Sequence, residues 1–259
     1  MTRAWPAMGT MISVHVHVHV HDRVVDGRPV DETLVAEAID EVRREIEAGE
    51  SVLSTFRPDS DVSRINRGEL HLLDADPMVV EVLDFCTWLE HESGGAFGAH
   101  PPEHPDRIDP AGFAKGWITE RAATRLDDAG LADWYVGAGG DVVTRGRPAP
   151  DRPWRVGVVD PSDRSRTVLT LDIDSGAVAT SGSYERGAHV WDGRDGSRVA
   201  RVASMTVTGP SLAWADAFAT AAYAMGHAGL EWVTRFTGYQ AIAVGLDGAI
   251  SVSAGRRDR

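Results

Sequence analysis

The chain has 259 residues, enough to bury a sizeable core as one large domain or two small ones, and its 26 basic against 39 acidic side chains leave a net charge of −13. That excess of carboxylate opposes adhesion to nucleic acid or to anionic membrane surfaces, but admits a phosphate-bearing small molecule wherever a metal ion reverses the local charge. A single cysteine, Cys86, excludes an internal disulfide and any multi-cysteine zinc site.

No apolar run is long enough to span a bilayer, and the opening Met1-Thr-Arg-Ala-Trp-Pro has neither a secretory core nor a lipidation cysteine, so a cytoplasmic protein is expected. Ile12 to Val20 alternates apolar and polar residues with the period of a half-buried strand. It places His15, His17, His19 and His21 on one face and valines on the other. Valines toward the core and histidines toward water is the expected arrangement, with adventitious nickel or zinc binding as its side effect.

Asp31 can cap a helix that carries Leu34, Val35, Ala38, Ile39, Val42 and Ile46 on one stripe. Asp76 as cap, Pro77 in the first helical position and Gly94 past the end frame a second helix. Cys86 sits in its apolar pattern and reads as a buried structural thiol. A third helix runs from about Gly112 to Ala129 and stops at Gly130. Trp134 to Ala138 is a strand broken by Gly139-Gly140, and Arg155 to Val159, Thr167 to Ile173 and Ala200 to Thr208 read as further strands. Ser211 caps a helix ending at Met225, a shorter helix lies near Leu230 to Phe236, and Asp247-Gly248 signals a hairpin. His100 to Arg107 and Arg145 to Pro153 read as surface loops. Without strict βαβ alternation, the order predicts an α+β fold, a mixed or mostly antiparallel sheet packed with helices.

Asp216 and Thr220 lie four apart on a predicted helix and share a face. One carboxylate and one hydroxyl suit magnesium. Spacing alone favours a backbone-satisfying Asp216 and a packed Thr220, and the surrounding alanines, which admit a second backbone, move the balance toward a ligand site. Asp109-Pro-Ala-Gly-Phe-Ala-Lys115-Gly116 stands at a helix entrance, where free N–H groups favour anions. Asp109 is its cap and Lys115 can reach a phosphate, or the segment is an ordinary capped helix with a solvated lysine. Gly137-Ala-Gly-Gly-Asp141 lacks the third spaced glycine of a dinucleotide fingerprint, and Thr180-Ser181-Gly182 lacks the elbow of a serine hydrolase. His189-Val-Trp-Asp192 places an imidazole near a carboxylate.

Taken in order, these segments resemble the FAD:protein FMN transferases, the ApbE family. The likeness begins at Met8-Gly9-Thr10 and includes Leu53-Ser54-Thr-Phe56, Ser63-Arg64-Ile65-Asn66 and Gly94-Gly95-Ala96-Phe97. It continues through the Asp109 segment, Gly139-Gly140-Asp141, Thr180-Ser181-Gly182, His189 to Asp192, Ser204 to Val207 and Asp216 to Thr220. The resemblance implies one flavin transferase domain over residues 1–259, whole or divided into two intertwined α/β subdomains. It implies an FAD pocket lined by Met8, Phe56, Ala96, Phe97, Asp109, Lys115 and Trp191, and Mg2+ held by Asp216, Thr220 and the Gly112 carbonyl. His189 takes the position of base or phosphate contact. The implied reaction moves FMN from FAD to a Thr or Ser of an acceptor protein and releases AMP. Hydrolysis of FAD to FMN and AMP, or flavin binding without catalysis, are the alternatives. Gly98 stands where the family usually has Asp, Gly193 where it usually has Pro, and the connection from Gly98 to Asp109 is shorter than usual.

Overall fold

A computed structural model describes residues 1–18, 24–25, 28–182, 190–199 and 201–254. Strands β1 (Thr2–Ala7) and β2 (Thr10–His17) form a hairpin, and β3 (Val24–Val25) and β4 (Arg28–Pro29) a small ribbon. Helices α1 (Glu32–Leu53), α2 (Asp61–Asn66), α3 (Pro77–Glu92) and α4 (Ala111–Asp128) follow. Then come β5 (Asp133–Ala138), β6 (Asp141–Arg145), β7 (Trp154–Asp160), β8 (Asp163–Ile173), β9 (Gly176–Gly182) and β10 (Ser204–Gly209). Helices α5 (Leu212–Met225) and α6 (Ala228–Val233) precede β11 (Gln240–Val244) and β12 (Ile250–Val252).

Eight strands make one sheet in the order β1-β2-β5-β6-β9-β10-β11-β12, while β7 and β8 pair only with each other. Every strand pairing among the described residues is antiparallel. Two tight turns set the register near the site. Met8 and Gly9, at φ 51° and 66°, link Ala7 to Thr10, the left-handed pair of a two-residue hairpin. Gly139, at φ 65°, opens the turn from Ala138 to Asp141.

The period-2 pattern of the strands decides which face meets the helices. Ile12, Val14 and Val16 of β2, Val136 of β5, Ala179 of β9 and Val207 of β10 are buried in one core with the apolar sides of α1, α4 and α5. The caps predicted at Asp31, Asp76 and Ser211 hold. Asp31 Oδ1 accepts the N–H groups of Thr33 and Leu34, Asp76 that of Met78, and Ser211 Oγ that of Trp214. Cys86 is buried in α3, and burial pushes its thiol up to about 12.

The histidine face differs from expectation. The described part of this strand ends at His17, and His19 and His21 lie outside the described residues. His15 and His17 are half-buried, because Trp154 of β7 lies against both rings. His15 stacks on Tyr135 at 5.5 Å, meets the edge of Trp154 at 5.9 Å and is hydrogen-bonded to Thr2 Oγ1 at 2.6 Å. Burial, with His17 beside it, holds its pKa below the ordinary histidine value. No helix among the described residues is long and apolar enough to cross a membrane.

Candidate active site

Helices α4 and α5 meet closely because the residues at their crossing have almost no side chain. A Cβ on Gly116 would stand 2.8 Å from both Asp216 Cβ and the Leu212 carbonyl oxygen. A Cβ on Gly112 would stand 2.9 Å from the Phe97 ring and 3.4 Å from Thr220 Cγ2. Ala213, Ala215, Ala217 and Ala219 are all buried around Asp216 on α5. The approach lets Asp216 Oδ2 accept the Gly116 N–H at 3.0 Å. Asp216 therefore satisfies the backbone of the neighbouring helix.

Lys115 Nζ is shared between two carboxylates. It ion-pairs with Asp141 Oδ2 and lies 3.2 Å from Asp216 Oδ2. Both acids are buried, Asp141 at 1% and Asp216 at 3% exposure. Asp141 enters from the Gly139-Gly140 turn, and its Oδ1 accepts the Thr180 N–H at 3.0 Å. Hydroxyls complete the surroundings: Ser181 Oγ bonds Thr220 Oγ1 at 3.1 Å, and Thr180 Oγ1 bonds Thr206 Oγ1 at 2.8 Å. Asp141 was legible only as part of a glycine-rich segment. The signal that finds it is the glycine pair, which turns the chain so that the next residue starts β6 beside β9.

A cavity of about 320 Å³ opens over this cluster. Phe56, Ala96, Phe97, Asp109, Gly112, Lys115, Trp191, Asp216 and Thr220 all line it, together with Gly98, Thr180 and Ser181. Phe56, 85% exposed, stands at its mouth, whereas Phe97 is buried in its wall. Met8 is not among the lining residues; it sits in the β1–β2 turn, where its N–H donates to Glu50 Oε1 at 2.9 Å. His189 lies outside the described residues.

Asp109 does not take the cap position. Pro110 does, and it offers no side-chain cap; Asp109 Oδ1 accepts the Ala111 N–H at 3.1 Å from one residue further out. The Pro110 carbonyl accepts the N–H groups of Phe113 and Ala114, at 2.9 and 2.8 Å, which makes it the first acceptor of the helix. The short loop before Asp109 is closed by two devices. Asp109 N–H donates to the Ala99 carbonyl at 2.7 Å, and the Asn66 amide bonds both the N–H and the C=O of Ile108, at 2.8 and 2.9 Å. Asn66 had no assigned role in the sequence.

The segment carrying Trp191 is pinned by Asp192. That buried carboxylate accepts Arg194 Nε at 2.7 Å and Nη2 at 2.6 Å, and Arg201 Nη1 at 2.7 Å. The Arg194 guanidinium holds it well below the usual carboxylate range. Gly193 fits here for two reasons. A Cβ would collide with the Gly95 carbonyl oxygen, and its N–H, which proline would lack, donates to the Ala96 carbonyl at 3.1 Å.

The donors around Lys115 are all hard oxygen: two carboxylates and the hydroxyls of Thr220 and Ser181. A cation already sits between the carboxylates as the lysine ammonium, so the set fits a small divalent ion that prefers oxygen ligands. Fold and cavity thus define an antiparallel α+β protein with a cation-seeking, oxygen-lined pocket between two helices and a sheet. The sequence profile of the ApbE family matches residues 8–100 and 102–243, and the chain belongs to that family. The FAD:protein FMN transferase of Klebsiella pneumoniae is 29% identical over 141 residues, 51% of this chain and 40% of that protein. The Vibrio cholerae transferase is 33% identical over 130 residues, 46% of this chain and 39% of that protein. The matched segments thus span about two-fifths of the length of these curated relatives. The solved flavin transferase ApbE of Vibrio cholerae superposes with a TM-score of 0.78 at 22% identity, covering 99% of this chain and 97% of that one. The ApbE protein of Thermotoga maritima gives a TM-score of 0.80 at 22% identity, covering 98% and 96%. These likenesses establish the fold.

Proposed function

We propose that this protein transfers FMN from FAD to a Thr or Ser hydroxyl of an acceptor protein, with Mg2+, and releases AMP. The observation that carries the reading is Lys115, held between buried Asp141 and Asp216 at the floor of a cavity walled by Phe97 and Trp191. Such a floor is matched to a diphosphate with a divalent ion, and the aromatic wall to a flavin ring.

Asp216, Thr220 and the Gly112 carbonyl would hold the ion, with Asp141 close by. When bound, it neutralises charge on the diphosphate and aligns it for in-line displacement. Lys115 then turns from the carboxylates toward a phosphate oxygen. Phe56 and Trp191 flank the flavin, and Asp192 keeps Trp191 in place through Arg194 and Arg201. The acceptor oxygen forms a bond to the FMN phosphorus, the bridging bond to the AMP phosphate breaks, and the hydroxyl proton passes to a base. His189 is assigned that proton by resemblance alone.

Incubation with FAD, Mg2+ and a candidate acceptor tests the reading. Flavin fluorescence on the acceptor after denaturing electrophoresis, with AMP in equal amount, is expected. AMP without adduct identifies hydrolysis, and FAD binding without AMP removes both enzymatic readings.

A further inference from the structure

The two acids at the cavity floor are anchored by backbone, whereas the cation between them is not. Asp216 Oδ2 accepts the Gly116 N–H at 3.0 Å, and Asp141 Oδ1 accepts the Thr180 N–H at 3.0 Å. Both donors belong to the main chain of regular elements. Lys115 is held differently. Its ammonium ends a flexible four-carbon stem that lines the cavity, and its side chain is 22% exposed against 1% for Asp141 and 5% for Asp216. The fold thus keeps two anions still and leaves their counter-ion able to depart.

Departure of the ammonium strands Asp141. Its Oδ2 is buried and has no donor besides Lys115 among the described residues. A buried carboxylate left uncompensated is strongly unfavourable, so the lysine leaves only as another cation takes over its charge. The reverse constraint is as strict. Lys115 Nζ stands 3.2 Å from Asp216 Oδ2. A magnesium ion on the same carboxylate would sit about 2 Å from its oxygen, and two cations brought that close repel.

We propose that Lys115 is the built-in counter-ion of Asp141 and Asp216, and that it and a divalent ion exclude one another there. The FAD diphosphate draws the ammonium off. Ion and FAD therefore bind cooperatively, and the ion is held weakly while no diphosphate is present. The proposal rests on the transferase reading and adds the coupling between its ion and its donor. Lys115 becomes a positioning residue for the ion, and Asp141 the anchor that holds the lysine until the exchange.

The test uses Mn2+ as the ion, because free Mn2+ is read directly from its electron paramagnetic resonance signal. Its affinity is measured for the full chain and for K115M/D141N, with and without saturating FAD. The double variant removes one positive and one negative charge, so the net charge of the cluster equals that of the wild type. Charge attraction alone then gives equal ion binding. Mutual exclusion instead makes the variant bind Mn2+ roughly tenfold more tightly without FAD, because no ammonium contests the ion. FAD is expected to raise the wild-type affinity roughly tenfold and that of the variant by clearly less. K115Q/D141N serves as a second variant, and native near-UV circular dichroism is required of whichever is used. A variant that binds Mn2+ no more tightly than the wild type without FAD, or an equal effect of FAD on both, overturns the proposal. Failure of the wild type to bind FAD counts against the transferase reading instead, and the comparison without FAD still decides the role of Lys115.

Discussion

Lys115 Nζ lies 3.2 Å from Asp216 Oδ2 across the α4–α5 crossing and ion-pairs on its other side with Asp141. The next residue in the chain, Gly116, donates its N–H to the same Asp216 oxygen. One carboxylate thus fixes both the backbone and the side-chain cation of the facing helix. Two buried acids that share a lysine are a demand for positive charge, and a divalent ion meets that demand more fully.

Replacing Lys115 by methionine leaves Asp141 and Asp216 buried without their shared cation. A loss of about 3 kcal/mol is expected, the magnitude of breaking one side of a buried pair. Millimolar Mg2+ should restore part of the lost melting temperature in this variant, because a ligand that binds only the folded state stabilises it. Thermal unfolding with and without the ion checks both statements. An unchanged melting temperature removes Lys115 from the charge balance.

Gly116→Ala introduces a methyl group where only 2.8 Å separates the Cβ position from Asp216 Cβ and from the Leu212 carbonyl oxygen. Backbone cannot rotate away as a long side chain can, so the helices must part. The expected cost is about 1–3 kcal/mol, read from the urea midpoint, together with weaker FAD binding. A variant as stable as the wild type would show that the crossing is looser than drawn.

Asp192→Asn keeps the shape of the Trp191 segment but removes the charge that two arginines hold. About 2 kcal/mol is expected, the scale of hydrogen bonds to a charged group. The folded-state pKa of Asp192 lies below its unfolded value, near 4. Its contribution is therefore complete above about pH 4 and fades as the pH falls below it. Denaturant midpoints of both proteins should differ by a constant amount from pH 5 to 8 and converge only in acid. Convergence near neutrality would contradict the arrangement.

His15 acts over a different range. Burial, with His17 beside it, depresses its folded pKa below the ordinary histidine value, so the folded form prefers the neutral ring. Its stabilising share is present above that value and is lost as the pH falls through it, since the unfolded chain then binds the extra proton. His15→Phe retains an aromatic ring against Tyr135 and Trp154 without a proton to bind. Its melting temperature is expected to fall less between pH 7 and 5 than that of the wild type.

Helix punctuation was the most legible part of the fold. Asp31, Asp76-Pro77 and Ser211 are caps whose chemistry is local, so three residues suffice to place a helix end. Strand β1 was not legible, because Pro6 interrupts its pattern, and only its place at the sheet edge makes a proline tolerable there. Helix α2 is too short to show a period. Within the site, Gly112, Asp216 and Thr220 are named by resemblance, spacing alone favouring a structural role, and all three line the cavity. Asp141 and Asn66 could not be named, since their partners Lys115 and Ile108 are distant in sequence. The covering of His15 by Trp154 is likewise a tertiary event that strand alternation does not encode.

Titration of FAD into the protein, followed by flavin fluorescence in Mg2+ and again in chelator, addresses the pocket and its ion together. Mg2+ should tighten FAD binding roughly tenfold, about 1.4 kcal/mol, in the wild type and have no such effect in Asp216→Ala. Equal affinity with and without the ion in the wild type, or a full Mg2+ response in Asp216→Ala, would contradict a diphosphate site built on α4 and α5.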